Sequence, residues 1–549
     1  MDSIDARPWW QNGIIYQIYP RSFQDANGDG VGDLNGILSR LDYLVELGID
    51  AVWLSPIYPS PMADFGYDVA DYTGVDPLFG TLSDLENLIA AVHAQGLKFL
   101  LDFVPNHSSD QHPWFVESRS GRDNPKRDWY LWRDPATDGG PPNNWMSNFG
   151  GPAWTFDDAT GQFFYHSFLA EQPDLNWRNP QVKSAIYDAM RFWLDRGVDG
   201  FRMDVIWMLL KDDQFRPNPP NPAWQPGRSS FGSLLPLYTA DRPETHMIVR
   251  EMREVLNAYP DRLLIGEIYL PPDKLVTYYG ATPPAADQDV SDPATNSLRG
   301  ADMPFNFHLI LSPWRADTIA HLIREYEALL PPGAWPNWVL GNHDQKRLAS
   351  RLGEGQARVA ALVLLTLRGT PTLYYGDELG MLDGLIAPDQ VQDPAEKNQP
   401  GIGMGRDPER TPMLWDATAT AGFTTGTSWL PITPGTPETF SVATEAAQPR
   451  SVLALYRKLI ALRRQHPALH AGPVAEVRAD GGVLRYERHN PASSAPERLL
   501  LLANLTNDLE TVQVPPARVL LTTILDGQGA VCDGSFTLEA GEGVVMELL

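Results

Sequence analysis

The chain has 549 residues, of which 43% are hydrophobic, and this suffices for two or three domains with one large core. Its formal net charge of −26 argues against nucleic acid or an anionic membrane as a partner, because like charges would repel. The single cysteine, Cys532, excludes an intramolecular disulfide, no signal peptide is visible and the apolar runs are too short to cross a bilayer, so we expect a cytoplasmic protein.

Eight short apolar runs recur along the chain, and helix-like segments separate them. Nearly continuous apolar runs are typical of parallel strands that are buried on both faces. Eight alternating βα units predict an α/β fold, a (β/α)8 TIM barrel. The runs are residues 14–20, 51–56, 98–107, 199–205, 262–269, 302–307, 337–344 and 369–376.

Three stretches depart from this rhythm. Residues 108–175, after the third strand, are rich in Trp, Asp, Gly and Pro and are too long for an ordinary loop, so they predict an inserted domain. Residues 206–243 form a Pro-rich excursion after the fourth strand. From residue 476 to 549 the apolar residues alternate as in strands, which predicts an all-β C-terminal domain. The barrel is then assigned to residues 1–107 and 176–475.

Acidic side chains end three of the predicted strands, at the edge where a TIM barrel places its active site. Asp204 follows Arg202 on one face of its strand, and the guanidinium should keep this carboxylate ionised, as a nucleophile requires. Glu267 has apolar neighbours that favour a neutral acid, and Asp344 ends a later strand. Taken singly, Asp204 could belong to a buried ion pair that braces the barrel, Glu267 could be a rim carboxylate bonded to backbone amides, and Asp344 could be a local cap. Together they predict retaining glycoside hydrolysis, in which one carboxyl attacks the anomeric carbon and another protonates the leaving oxygen.

Two histidines lie at strand ends beside these acids. His107 and His343 can donate hydrogen bonds to sugar hydroxyls, although a lone histidine is more often structural. Neither has the spacing of a metal-binding pair, and the sequence lacks a phosphate-binding loop of the form G-x-x-x-x-G-K-[ST]. We therefore expect no organic cofactor.

The motifs "DFVPNHSS", "GFRMDVIW", "LIGEIY" and "VLGNHD" resemble the four signature regions of the alpha-amylase superfamily of glycoside hydrolases, and "QPDLNW" and "GTPTLYYGDELGM" resemble two further regions. The resemblance runs from about residue 9 to the C-terminus. It implies that the insertion is the family's domain B and that the C-terminal domain is an antiparallel β-sandwich. The catalytic roles that it implies are nucleophile, acid/base and transition-state stabiliser for Asp204, Glu267 and Asp344; the implied ligands of the non-reducing-end glucose are His107, Arg202 and His343.

A narrower resemblance points to the exo-acting α-glucosidase and oligo-1,6-glucosidase branch. "ADFGYD" resembles the segment in which Asp64 binds terminal hydroxyls and Tyr67 stacks on the sugar ring, and "GRDPERTPMLW" places Arg406 against Asp64. This implies small α-glucosides as substrates and a monomer or homodimer. Val205 after the nucleophile goes with α-1,6 activity, whereas Trp207 and the following Pro-rich loop look like maltose-type α-glucosidases that also transfer glucose.

We therefore predict a retaining exo-α-glucosidase with transglycosylation. The alternatives are an oligo-1,6-glucosidase, a sucrose-acting transferase or isomerase, and a non-catalytic relative of the same fold. The isomerase is disfavoured because "RLASR" stands where sucrose isomerases carry an arginine/aspartate cluster, and the non-catalytic relative because all three acids are present.

The stretch "DANGDGVGD" after the first strand begins like a calcium loop, but Gly36 stands where an EF-hand needs a bidentate Glu. A strand-like run precedes it, where an EF-hand needs a helix, so a calcium sensor is disfavoured. The stretch resembles a metal loop of the α-glucosidase branch. We expect a structural Ca²⁺, with Mg²⁺ as the alternative ion and a metal-free Asx turn as the alternative structure; the expected ligands are Asp25, Asn27, Asp29, Asp33 and the Val31 carbonyl.

Overall fold

The structure is a computed structural model that describes residues 7–281, 298–490 and 497–549. Its strands fall into three sheets. They are β1 (Ile15–Ile18), β2 (Ala51–Leu54), β3 (Lys98–Phe103), β4 (Trp132–Arg133), β5 (Trp154–Asp157), β6 (Gln162–Tyr165), β7 (Gly200–Met203), β8 (Leu263–Gly266), β9 (Met303–Pro304), β10 (Asn337–Val339), β11 (Thr370–Tyr374), β12 (Val474–Asp480), β13 (Val483–Asn490), β14 (Glu497–Asn504), β15 (Glu510–Thr522), β16 (Val531–Leu538) and β17 (Gly543–Leu548).

The α-helices lie mainly between the barrel strands. They are α1 (Trp9–Asn12), α2 (Pro20–Phe23), α3 (Leu34–Ser39), α4 (Leu41–Leu47), α5 (Leu82–Ala94), α6 (Pro113–Arg119), α7 (Pro180–Leu194), α8 (Thr245–Asn257), α9 (Pro272–Leu275), α10 (His308–Leu311), α11 (Ala316–Leu329), α12 (Leu348–Leu352), α13 (Glu354–Thr366), α14 (Pro394–Asn398), α15 (Thr436–Phe440), α16 (Val442–Ala446), α17 (Val452–Gln465) and α18 (Pro467–His470). Across the three described ranges, no helix is both long enough and apolar enough to cross a membrane.

The predicted barrel is confirmed. Eight strands form one sheet in the order β10-β11-β1-β2-β3-β7-β8-β9, and every pairing that the described residues show in it is parallel. All eight predicted apolar runs contain one of these strands. The sheet is nearly closed, because only β9 and β10 lack a ladder between them in the described part of the chain. Parallel strands of this kind carry their polar functional residues at their C-terminal ends.

Local sequence signals explain the helices that surround the barrel. In α5, Thr81 accepts a hydrogen bond from the Asp84 amide and Asp84 accepts one from the Thr81 amide, which forms a capping box. Leu85, Leu88 and Val92 recur at helical spacing and are buried against the sheet. The left-handed Gly48, at φ 91°, ends α4.

The insertion after β3 contains α6 and a three-stranded antiparallel sheet in the order β4-β6-β5. Aromatic side chains fill its small core, including Trp145, Trp154 and Tyr165. Two isolated bridges, His107 to Asp174 and Tyr130 to Leu175, tie the two ends of the insertion together beside the barrel. The insertion therefore stands directly over the end of β3.

The C-terminal strands form one antiparallel sheet in the order β12-β13-β14-β17-β15-β16, as the alternating pattern predicts. One set of its side chains, with Leu500, Val519 and Met546, forms a separate core. The other set, with Tyr486 and Leu501, joins the main core of the barrel. This division places the sheet against the barrel helices and away from the strand ends that carry the acids.

Candidate active site

The register of three neighbouring strands brings Asp204 and Glu267 together. Asp102 on β3 lies opposite Arg202 on β7, and Met203 lies opposite Gly266 on β8. Asp204 and Glu267, one residue beyond each strand, therefore end side by side at the same edge of the barrel. Both are nearly buried, with 6% and 4% of their surfaces exposed.

Arg202 contacts three carboxylates at once. Its Nη1 lies 2.8 Å from Asp102 and 2.9 Å from Asp204, and its Nη2 lies 2.8 Å from Oε2 of Glu267. A buried guanidinium with these partners remains charged. The free-energy cost of burying the carboxylates is offset because each of them contacts this positive charge. The Val205 amide also donates to Oε2 of Glu267, at 2.9 Å. Arg202 thus fixes the relative positions of the predicted nucleophile and the predicted acid.

The Asp204 and Glu267 carboxylates lie side by side, because both contact the same guanidinium. Burial raises the pKa of Asp204 most, the Glu267 charge raises it further, and Arg202 lowers it. The expectation that Arg202 alone keeps Asp204 ionised is therefore too simple, because burial and Glu267 oppose it. The same causes raise the pKa of Asp102 to about 7, with burial first and Arg202 opposing. Asp204 therefore ionises less readily than an exposed aspartate does.

Asp344 sits in a strongly cationic environment. Its Oδ1 accepts hydrogen bonds from Arg410 at 2.9 Å and from Arg406 at 3.3 Å, and Nε2 of His343 lies 3.4 Å from Oδ2. Burial raises the pKa of Asp344, but His343, Arg406 and Arg410 outweigh burial and hold it well below its usual range. Asp344 is therefore ionised at any ordinary pH, as a group that stabilises positive charge must be.

A second ion-pair cluster lies next to Asp344. Nη2 of Arg406 lies 2.7 Å from Asp64 and 2.8 Å from Asp393. Burial raises the pKa of Asp64, and the Arg406 charge lowers it. The guanidinium carbon also lies 4.9 Å from the centre of the Phe149 ring, which belongs to the insertion. Arg406 therefore joins Asp64, the insertion and Asp344 into one wall.

Tyr67 and His343 stack on each other, with ring centres 5.4 Å apart and an angle of 5° between the planes. The Tyr67 hydroxyl donates to Asp102 at 3.1 Å and lies 2.6 Å from Nε2 of His343. Gln17 donates to Nδ1 of His343 at 2.7 Å, which makes Nε2 the protonated nitrogen. Burial holds the pKa of His343 well below its usual value, so the ring is a neutral donor.

His107 is held in the same way from the insertion side. Asn106 donates to its Nδ1 at 3.1 Å, which leaves Nε2 to donate to the Tyr67 carbonyl at 3.2 Å. Burial lowers the pKa of His107 to about 4. The Gln172 amide donates to Asp64 at 3.2 Å, and its nitrogen lies 3.2 Å from Nε2 of His107. His107 and Asp64 therefore face one enclosed space.

The structure thus brings together all nine predicted catalytic and substrate residues around the C-terminal edge of the barrel. The sequence reasoning missed Asp393 and Arg410 as members of this cluster. Arg410 stands four residues after Arg406 in "GRDPERTPMLW", so its motif carried a signal. Asp393 lies in no quoted motif, and its place depends on the fold of an irregular segment. Gln172 opens the quoted "QPDLNW" but was given no role.

The predicted metal loop lies apart from this cluster. Asp25 accepts the Asn27, Gly28 and Gly30 amides and the Thr424 hydroxyl. Asn27 accepts the Asp29 amide, and Asp29 accepts the Val31 amide. Asp33 accepts the Ala26 and Gly36 amides and caps α3. Asp25 has used its acceptor capacity, whereas Asn27 and Asp29 are exposed and have accepted only one bond each.

Among residues 7–281, 298–490 and 497–549, no group of three or more His, Cys, Asp or Glu side chains is arranged to hold a metal ion. The loop's donor set is nevertheless the oxygen-only type that Ca²⁺ prefers. The fit is therefore partial, and calcium at this loop stays a prediction.

The cluster combines two carboxyls that share one guanidinium, a third that is held ionised, and neutral imidazoles that donate hydrogen bonds. This set can deliver one proton, attack one electrophilic carbon and stabilise adjacent positive charge. On the side of Asp64 and Arg406, it presents charged groups that can form hydrogen bonds with hydroxyls. The arrangement is suited to acid-assisted cleavage of a bond to a neutral, hydroxyl-rich substrate.

Residues 17–472 match the family described as "Alpha amylase, catalytic domain". A protein named "Probable alpha-glucosidase" from Rhizobium meliloti is 39% identical over 547 residues, covering 96% of this chain and 94% of that protein. The "Oligo-1,6-glucosidase" of Parageobacillus thermoglucosidasius is 38% identical over 548 residues, covering 93% and 92%. The matched range contains both acids on Arg202, Asp204 and Glu267.

Solved structures of similar proteins cover almost the whole chain. An alpha-glucosyl transfer enzyme, XgtA, superposes with a TM-score of 0.89 at 38% identity, covering 99% of this chain and 100% of that one. A mutant of the trehalulose synthase MutB superposes with a TM-score of 0.86 at 34% identity, covering 99% and 100%. These comparisons include enzymes named for hydrolysis, for glucosyl transfer and for synthesis of a disaccharide.

Proposed function

Because this chain belongs to the alpha-amylase family of glycoside hydrolases, we propose that it is a retaining, exo-acting α-glucosidase that releases glucose from the non-reducing end of short α-glucosides. The observation that carries the proposal is that Asp204 and Glu267 both contact one guanidinium, Arg202, at 2.9 and 2.8 Å. Inverting enzymes need their carboxyls far enough apart to admit a water molecule between sugar and base. Two carboxyls that share one guanidinium are close together, which favours retention.

In the proposed reaction, Oδ of Asp204 attacks the anomeric carbon while Glu267 gives its proton to the departing oxygen. The glucosyl group is then covalently bound to Asp204, and Glu267 is a carboxylate. A water molecule attacks the same carbon, Glu267 takes its proton, and glucose leaves with its configuration retained. Asp344, ionised by its cationic neighbours, stabilises the positive charge of both transition states.

The closed end of the site supports exo action. Asp64, Arg406 and Phe149 join the loop after β2, the segment after α14 and the insertion into one wall. A longer chain cannot extend past such a wall, so a terminal glucose would fill the space. Asp64 would accept hydrogen bonds from the hydroxyls of this glucose, and His107 would donate one to them. Gln172 lies between these two side chains, and Tyr67 would stack on the sugar ring.

The proposal also concerns the choice between α-1,4 and α-1,6 linkages. The long loop after β7 supports activity on maltose-type substrates, whereas Val205 supports activity on isomaltose-type substrates. Transfer of glucose to another acceptor is proposed because a sugar or alcohol hydroxyl can replace water in the second step. An oligo-1,6-glucosidase and a sucrose-acting transferase or isomerase are the alternatives, and the named similar enzymes include both kinds of activity.

Two further statements remain proposals. Ca²⁺, with Mg²⁺ as the alternative, would be held at the 25–33 loop by the oxygens of Asn27, Asp29, Asp33 and Val31, and it would supply rigidity rather than chemistry. Asp25, the fifth expected ligand, would have to exchange one of its four hydrogen bonds for the ion. A cytoplasmic location and a monomeric or homodimeric state rest on the single cysteine and on the family resemblance.

The test is a rate comparison of the purified protein on maltose, isomaltose, sucrose and p-nitrophenyl α-glucoside, with the anomer of the first product followed by NMR. The proposal expects α-glucose as the first product and the highest rate on maltose. A higher rate on isomaltose would select the oligo-1,6-glucosidase, and a sucrose isomer as main product would select the isomerase. First release of β-glucose would overturn the retaining mechanism. No turnover of any of the four, equal to the Asp204→Asn variant, would overturn the enzyme assignment for these substrates.

A further inference from the structure

Val205, the residue after the predicted nucleophile, has a left-handed backbone. Its φ is 38° and its ψ is 40°, a conformation that a β-branched residue adopts only under strain. Its side chain is 8% exposed, and its carbonyl accepts the Met208 amide at 2.8 Å at the start of a 3₁₀ turn. Strain of this kind persists where the surrounding structure imposes it, and it clusters at functional sites.

The amide of this strained residue donates to one oxygen of Glu267. The Val205 N–H donates to Oε2 of Glu267 at 2.9 Å, and Nη2 of Arg202 forms an ion pair with the same Oε2 at 2.8 Å. An oxygen that accepts a hydrogen bond and faces a guanidinium is favoured as the unprotonated oxygen of a carboxyl group, because a hydroxyl oxygen is the weaker acceptor. The acidic proton is then left to Oε1.

We infer that Val205 is a positioning residue for the acid/base. Its amide, together with Arg202, keeps Oε2 of Glu267 as a hydrogen-bond acceptor, so that Oε1 is the oxygen that delivers and recovers the proton. This inference rests on the proposed role of Glu267. The left-handed φ of Val205 sets how the chain leaves this residue towards the following 3₁₀ turn, and the N–H on the other side of the same bond donates to Glu267. The inference is separate from the influence of the Val205 side chain on linkage.

The test removes only the N–H. The peptide bond between Asp204 and Val205 is replaced by an ester, by incorporating the α-hydroxy analogue of valine at position 205. Maltose needs its leaving oxygen protonated, whereas p-nitrophenolate leaves without help. Hydrolysis of maltose should therefore fall roughly tenfold or more, and that of p-nitrophenyl α-glucoside by less than about threefold.

Val205→Gly is the matched control, since it keeps the N–H and adopts the left-handed backbone without strain. Its ratio of maltose to p-nitrophenyl glucoside hydrolysis should stay within about threefold of wild type. Equal losses on both substrates in the ester enzyme, no loss, or the selective loss in Val205→Gly would each overturn the inference. An inactive wild-type enzyme would instead overturn the proposed function.

A second measurement uses the wild-type protein, so it still tests the inference if the ester enzyme does not fold. Neutron diffraction of wild-type crystals at the acid end of the activity profile should show deuterium on Oε1 of Glu267 and none on Oε2. Deuterium on Oε2 would overturn the inference.

Discussion

Arg406 and Asp64, 342 residues apart in the sequence, form an ion pair in which Nη2 lies 2.7 Å from Oδ1. The pair closes one side of the cluster that contains Asp344, because the same guanidinium reaches that carboxylate at 3.3 Å. Removing the Asp64 charge should therefore affect both the closure of the site and its electrostatics, and it leaves Arg406 its second partner, Asp393, at 2.8 Å.

Asp64→Asn keeps the shape of the side chain and removes its charge. The proposed hydrogen bonds to the terminal glucose would lose their charge-assisted character, which costs about 1.5–3 kcal/mol. The kcat/KM for maltose should fall about tenfold to a hundredfold. Steady-state kinetics on maltose measures this fall.

Asp134→Asn is the matched control for this prediction. Asp134 also pairs with an arginine, Arg122, at 3.0 Å, but both side chains are more than half exposed on the insertion. Exposed ion pairs contribute little, so maltose kinetics should not change. An Asp64→Asn enzyme as active as this control would contradict the assignment of Asp64 to the substrate.

Glu267→Gln should nearly abolish maltose hydrolysis while maltose binding is retained. The amide cannot give a proton to the leaving oxygen, but it keeps an oxygen that can accept from Val205 and Arg202. Loss of a general acid/base lowers kcat by roughly a hundredfold or more. Turnover and calorimetric titration with maltose measure the two effects. Glu325→Gln on α11, with 42% of the Glu325 side chain exposed, should behave as wild type. A Glu267→Gln enzyme that kept normal turnover would show that another group is the acid.

His112 makes stability depend on pH. It caps α6, where Nδ1 accepts the Trp114 amide at 3.1 Å, and burial lowers its pKa from 6.5 to about 4. Between these two values the unfolded chain binds a proton that the folded chain does not, so stability is lost as the pH falls from 6.5 towards 4. From about pH 7.5 to about pH 5 this loss amounts to about 2 kcal/mol.

His112→Asn retains a good N-cap and has no proton to bind. Its Tm should therefore fall less than the wild-type Tm over the same acid change, measured by calorimetry at both pH values. Other buried groups contribute equally to both proteins, so the difference isolates His112. Identical Tm changes in the two proteins would show that the ring is protonated in the folded state.

The sequence located the three predicted catalytic acids because Asp204 and Glu267 directly follow apolar strands and Asp344 ends an apolar run, and parallel strands of a barrel end at a common edge. It could not locate Asp393, because an irregular segment has no periodicity that fixes its position. It also gave no sign of the left-handed backbone at Val205, since a valine after a strand ordinarily predicts extended structure. Nor could it show that Glu267 shares Arg202 with Asp204, because that depends on the register between two strands.

The 25–33 loop gives the last prediction. If Ca²⁺ binds the folded loop, excess chelator should lower the wild-type Tm, because a ligand that binds only the folded state stabilises it by mass action. Restoring Ca²⁺ or Mg²⁺ separately would then identify the ion. Asp29→Ala removes an exposed oxygen donor whose one bond in the loop is to the Val31 amide, so this variant should have a lower Tm that no longer responds to chelator. Asp134→Ala, an exposed change on the insertion, should keep the wild-type response. An unchanged wild-type Tm in excess chelator would instead show that the hydrogen bonds of Asp25, Asn27 and Asp33 hold the loop without a metal.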